Sequence, residues 1–143
     1  MSEGVSIAPD AVAAIRAEAE RAYPHEGCGA LLGRPEASIL EALPITNRES
    51  EAPRTRFHVS PSDYMRVEEL ADERGLRLLG FWHSHPDHPA RPSPTDRRYA
   101  WEGLLTLVIA VETGRAAALT AWEVDGDGFR ELRLSTETSP KEP

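Results

Sequence analysis

The sequence predicts an α/β protein of one domain, built around a mixed, curved β-sheet flanked by about three helices. Two observations lead to it. Apolar residues recur at helical spacing in two segments and as short runs or alternations in several others, with a third helix marked by its capping residues, and hairpin signals lie towards both ends of the chain. The chain has 143 residues and 40% hydrophobic content, enough for one core without a covalent staple.

Ala11, Val12, Ile15, Ala19 and Ala22 share one helical face, with Asp10 as the expected N-cap and Pro24 closing the segment. Cys28 to Gly33 and Ser38 to Thr46 read as a hairpin turning near Arg34-Pro35. A polar loop, Asn47 to Arg54, and a short strand, Arg56 to Val59, lead to Ser60-Pro61, which opens a second helix bearing Tyr64, Val67, Leu70 and Ala71 and stopped by Gly75. Leu76 to Trp82 is apolar on both faces apart from Arg77, as expected of a strand inside a sheet, and it should be central. Ser93-Pro94-Thr95-Asp96 signals a third, shorter helix, with serine as cap and proline at the first helical position. Leu104 to Val111 reads as another buried strand. Ala116 to Val124 and Phe129 to Leu134 form a closing hairpin around Asp125-Gly126-Asp127-Gly128, where the ligand series of a calcium loop is missing. Residues 1–134 are expected to form the domain and 135–143 a disordered tail.

Composition narrows the function classes. With 24 acidic against 16 basic side chains the net charge is -8, which opposes the phosphate neutralisation that nucleic-acid binding requires. No apolar run reaches the roughly 20 residues of a membrane span, and residues 1–10 lack the pattern of a signal peptide, so a cytoplasmic protein with neither a nucleic-acid nor a membrane partner is expected. Cys28 is the one cysteine, so any metal must be held by histidine and carboxylate. It sits in an apolar run and is expected to be a buried, inert thiol.

The strand predicted over Leu76 to Trp82 delivers directly into His83-Ser84-His85-Pro86. Two histidines two apart on extended chain point to the same face, and Asp96, in the first turn of the third helix, is placed to return to the same point. Two histidines and a carboxylate leave a fourth position for water, the composition of a catalytic rather than a structural zinc site, and zinc so held lowers the pKa of that water to about 7. Taken singly, His-x-His is surface decoration as readily as a ligand pair, and Ser93 with Asp96 is explained by capping. Trp82 and Trp101, flanking the site, read as core aromatics, and His25, His58 and His88 as exposed or hydrogen-bonded histidines.

Together, His83-x-His85-Pro86, five residues, Pro92-Ser93, two residues and Asp96 resemble the motif of the JAMM (MPN, JAB) zinc metalloprotease family at every fixed position, and Pro24 to Gly33 resembles the segment that places a glutamate over the metal. The resemblance, to the compact prokaryotic type, implies a cytidine-deaminase-like fold and one Zn2+ per chain on His83, His85 and Asp96. It also implies Glu26 as general base between water and the departing amine, and Ser93 as hydrogen-bond donor to the developing oxyanion. It further implies hydrolysis of a peptide or isopeptide bond at the C-terminal tail of a ubiquitin-like or sulfur-carrier protein, and it admits a homodimer. A zinc deaminase is excluded because its Pro-Cys-x-x-Cys ligands are missing, and a cupin lacks its nearby glutamate. A non-haem iron oxygenase shares the ligand set, but Pro92-Ser93 and Glu26 favour hydrolysis. The remaining alternative is a catalytically silent MPN scaffold or protein-interaction module.

Overall fold

The computed structural model of the chain describes residues 4–45 and 59–136. Its elements run β1 (Gly4–Ile7), α1 (Pro9–Ala22), β2 (Cys28–Arg34), β3 (Ser38–Ile45), α2 (Pro61–Glu73), β4 (Arg77–Pro86), α3 (Pro94–Tyr99), β5 (Leu105–Glu112), β6 (Arg115–Asp125) and β7 (Gly128–Thr136). The mixed sheet and the three helices agree with the sequence. The sheet closes into a ring in the order β1-β3-β2-β4-β5-β6-β7, a closure that the expectation of a mixed, curved sheet did not specify.

The closing element is β1, which the sequence reading missed. It pairs in parallel with β7 from Gly4↔Arg133 to Ile7↔Thr136, and with β3 at Ser6↔Ser38 and Ile7↔Ile39. Only four residues long, it shows just one alternation of Val5 and Ile7, both buried, between half-buried neighbours. Its pairing also carries β7 to Thr136, two residues beyond the expected end of the domain at residue 134.

Two of the remaining pairings, β2 with β3 and β6 with β7, are the expected hairpins. β2 runs antiparallel to β3 and to β4, β5 to β6 and β6 to β7, while β4 and β5 are parallel and joined through α3. β4 is therefore interior, between β2 and β5, and extends through the histidine pair to Pro86 instead of ending at Trp82. Close strand contact explains Gly29, where a Cβ would stand 2.0 Å from the Leu43 carbonyl and 2.4 Å from the Trp82 indole nitrogen.

The period of two divides the core between the faces of the sheet. On one face α1 packs Ala11, Ile15 and Ala19 against Val5, Leu31, Ile39, Trp82, Leu107, Ile109 and Leu132. Burying such side chains contributes about 25 cal/mol per Å² of apolar surface removed from water, and this cluster holds more of the buried side chains than the other. On the other, Val67 of α2 packs with Ala30, Val59 and Phe81. Helix α2 starts as predicted: Ser60 caps it by accepting the Asp63 N–H at 3.1 Å, and Gly75, at φ +69°, follows its end. Helix α1 does not start at Asp10. Its N-cap is Ala8, without a side-chain bond, because Pro9 occupies the first turn and leaves Asp10 inside it. Trp101 is corrected too: it is 38% exposed and packs against Tyr64 with the rings tilted by 49° and 4.6 Å between their centroids. The predicted loop over residues 47–54, the short strand over 56–58 with His58, and the tail over 137–143 lie outside the described residues. Among those described, no helix is long and apolar enough to cross a membrane.

Candidate metal and catalytic centre

The site forms where β4 ends and the chain turns into α3, at the carboxyl end of a strand in a parallel pair. His83 and His85 point to one face, and their partners on β5 are Val108 and Ala110, of which the alanine leaves room beside His85. Asp96 arrives from α3, whose start is fixed by a capping box. The Asp96 N–H donates to Ser93 Oγ at 3.1 Å, and the Ser93 N–H donates to Asp96 Oδ2 at 2.8 Å. One box thus starts the helix and aims the carboxylate.

The three donor atoms meet. His83 Nε2 lies 3.2 Å from His85 Nε2 and 3.1 Å from Asp96 Oδ2, and His85 Nε2 lies 3.0 Å from Asp96 Oδ2. All three residues are buried, with His83 1% exposed. His85 Nδ1 faces the Pro89 carbonyl at 2.9 Å, which fixes the ring so that Nε2 points inward. Sequence reasoning missed Pro89, since only the turn after Pro86 brings its carbonyl back to β4.

The electrostatics suit a cation. Enclosure pushes His83 down, toward the neutral imidazole a metal needs, against the pull of Asp96. Burial lowers His85 as well, but hydrogen bonding to Asp96 and to the Pro89 carbonyl outweighs it and leaves that histidine raised. Burial alone would raise Asp96, yet the two histidines and the Ser93 amide hold it well below the usual carboxylate range. Donor atoms about 2.0–2.2 Å from a tetrahedral zinc lie about 3.3–3.6 Å apart, close to the 3.0–3.2 Å found here, so the residues fit such an ion. Among the described residues, these three form the group of histidine, cysteine or acidic side chains able to hold a metal.

Glu26 joins the site through the β2–β4 register. Cys28 pairs with His83, and a further backbone bond, Ser84 N–H to Gly27 O at 2.9 Å, continues the ladder; the same register carried one residue further sets Glu26 opposite His85. Glu26 is 3% exposed; burial first, and the charge of Asp96 second, push its carboxyl up to about 9. Cys28 is buried and its thiol is pushed up to about 12, so it is the inert residue expected. His25 and His88 are exposed. A narrow apolar cleft lined by Val59, Phe81, Tyr99, Trp101 and Leu104 opens beside His83 and Asp96.

With this geometry in place, comparison with known proteins decides the family: the model for prokaryotic homologues of the JAB domain matches residues 8–125. The chain belongs to the prokaryotic JAB-domain family. It is 35% identical to the desampylase of Haloferax volcanii over 142 residues, covering 95% of this chain and 99% of that protein. It is also 35% identical over 85 residues to a probable TtuB-protein conjugate cleaving protease of Thermus thermophilus, covering 59% of this chain and 55% of that one. Among solved structures, a Desulfitobacterium hafniense protein superimposes with a TM-score of 0.82 at 26% identity, covering 96% of this chain and 95% of that one. The structure described as a metalloprotease-like JAMM zinc site in the proteasome and signalosome superimposes at 0.56 with 16% identity, covering 94% and 98%, and shows the shared fold. As a prokaryotic JAB-domain protein with protease relatives, the chain is a hydrolytic enzyme.

Proposed function

We propose that the protein is a zinc-dependent peptidase that cleaves the peptide or isopeptide bond at the C-terminal tail of a ubiquitin-like or sulfur-carrier protein. The observation that carries this reading is the convergence of His83 Nε2, His85 Nε2 and Asp96 Oδ2 within 3.0–3.2 Å of one another in a buried site. These residues hold one ion. A zinc ion there supplies Lewis acidity that polarises a carbonyl and acidifies water. With the charge of that ion favouring its ionised form, Glu26, opposite His85, takes the proton of the attacking water on its carboxylate and passes it to the departing amine nitrogen. Ser93 Oγ uses a lone pair to cap α3, so its hydrogen remains to donate to the oxyanion that forms on the scissile carbonyl.

The substrate class is supported by two relatives, a desampylase and a protease named for cleaving TtuB-protein conjugates. An extended tail also has an edge to add to. Beyond Ile39, β3 pairs only with β2 among the described residues, and Ile45 lies opposite Cys28, which in turn lies opposite His83. A tail added there as a strand would present the scissile bond in a fixed register near the site. The test is cleavage of a Gly-Gly-tailed ubiquitin-like protein joined through its carboxylate to a fluorescent lysine. The zinc-loaded protein should release the lysine and a folded Glu26→Ala variant should not; equal release by both removes Glu26 as the base, and release by neither removes the reading in favour of a silent interaction module.

A further inference from the structure

Glu26 sits in a segment without regular structure, between the end of α1 at Ala22 and the start of β2 at Cys28, yet a general base must be held to within a fraction of an ångström. Two side-chain links tie that segment to β4 and to the turn that follows it. At one end the Tyr23 hydroxyl donates to Asp87 Oδ2 at 2.7 Å. Asp87 is itself fixed to β5 and the turn after it: its Oδ1 accepts the Thr113 N–H at 2.8 Å and its N–H donates to the Val111 carbonyl at 2.6 Å. At the other end the Gly27 N–H donates to Ser84 Oγ at 2.8 Å, beside the backbone bond from Ser84 N–H to the Gly27 carbonyl. An antiparallel hydrogen-bonded pair normally exchanges two backbone bonds; here the serine side chain takes the place of one carbonyl.

Ser84 is fully buried and, by the alternation of the strand, turns away from the face that carries His83 and His85. It is therefore no ligand, and its hydroxyl faces the segment that bears Glu26. Along the chain the two attachment points, Ser84 in β4 and Asp87 just past its end, bracket His85.

We propose that Ser84, seconded by the Tyr23–Asp87 pair, is a positioning residue that holds Glu26 in register with His85. The proposal rests on the hydrolytic reading given above. Without the hydroxyl, the Gly27 N–H is left buried without its acceptor, and the segment relaxes from the cluster while the three metal-binding side chains stay in place.

The test uses the full-length zinc-loaded protein, the fluorescent-lysine conjugate as probe, and amide hydrogen exchange at Gly27 as a readout independent of activity. Ser84→Ala is expected to lower kcat by about 10- to 100-fold with KM within about twofold, to keep its zinc, and to speed exchange at Gly27 by at least about tenfold. Ser84→Thr, which keeps the acceptor oxygen, should restore kcat and Gly27 protection, and Tyr23→Phe should give a smaller kcat loss of the same kind. Wild-type kcat in Ser84→Ala and Tyr23→Phe, or loss of zinc together with activity in Ser84→Ala, overturns the proposal. If wild type cleaves nothing, the functional reading fails, and Gly27 exchange still decides the clamp: unchanged in Ser84→Ala, it overturns the link; accelerated and restored by threonine, it supports it.

Discussion

Replacing Glu26 by glutamine in the metal-free protein isolates the electrostatic cost of the site. Burial and the nearby Asp96 push the Glu26 carboxyl from 4.5 up to about 9, so the folded state resists its ionisation. A group whose folded pKa is raised favours folding fully below its unfolded pKa, and that contribution is lost as pH rises toward the folded value. For Glu26 the loss begins above about pH 4.5 and continues to about pH 9. At about 1.4 kcal/mol per unit it amounts to at most roughly 3.5 kcal/mol by pH 7. Asp96, held low, contributes in the opposite sense, losing stability as pH falls, but it is present in both proteins and drops out of the difference. Urea unfolding in the presence of a chelator, at about pH 5, 6, 7 and 8, reads that difference directly. Glu26→Gln should match wild type near pH 5 within about 1 kcal/mol and gain on it with each step upward. A difference that stays flat from pH 5 to 8, or that moves in favour of wild type, refutes the placement of a carboxylate in this buried, negatively charged setting.

Two further outcomes follow from the site. Ser93→Ala should cost about 1 kcal/mol of stability through the lost cap and about 100- to 1,000-fold in kcat through the lost oxyanion donor, checked by denaturation and steady-state hydrolysis. A variant that loses the stability and keeps full kcat would confine Ser93 to capping. Cys28, buried with its thiol raised to about 12, should ignore a disulfide reagent at pH 8 in the native protein and react as one thiol after unfolding; rapid native reaction would contradict its burial.

What the sequence disclosed was local. His83 and His85 announce a shared face because strand alternation requires it, and Ser93 with Asp96 announces a capping box because the spacing is fixed by one turn of helix. The hidden parts depend on contacts between distant segments. Four residues of β1 carry too little periodicity to be recognised, yet their pairing with β3 and β7 closes the ring. The start of α1 was misplaced because Asp10 is a good capping residue by type, while Pro9 had already set the first turn. Trp101 was assigned to the core by its chemistry alone; it lies between α3 and β5 and packs against the tilted ring of Tyr64 at the surface. The Pro89 carbonyl and Ser84 hydroxyl act through a turn and a cross-strand rung, neither of which leaves a mark in residue spacing.

Zinc content tests the central claim most directly. Wild type and the His83→Ala and Asp96→Ala variants would be stripped of metal, reloaded with zinc, freed of excess and analysed for the element, with circular dichroism to confirm folding. The account predicts about one tightly held zinc per wild-type chain and its loss in both folded variants. A folded wild-type protein that takes up no zinc, or variants that bind it as well as wild type, would contradict the assignment of these residues as the metal site.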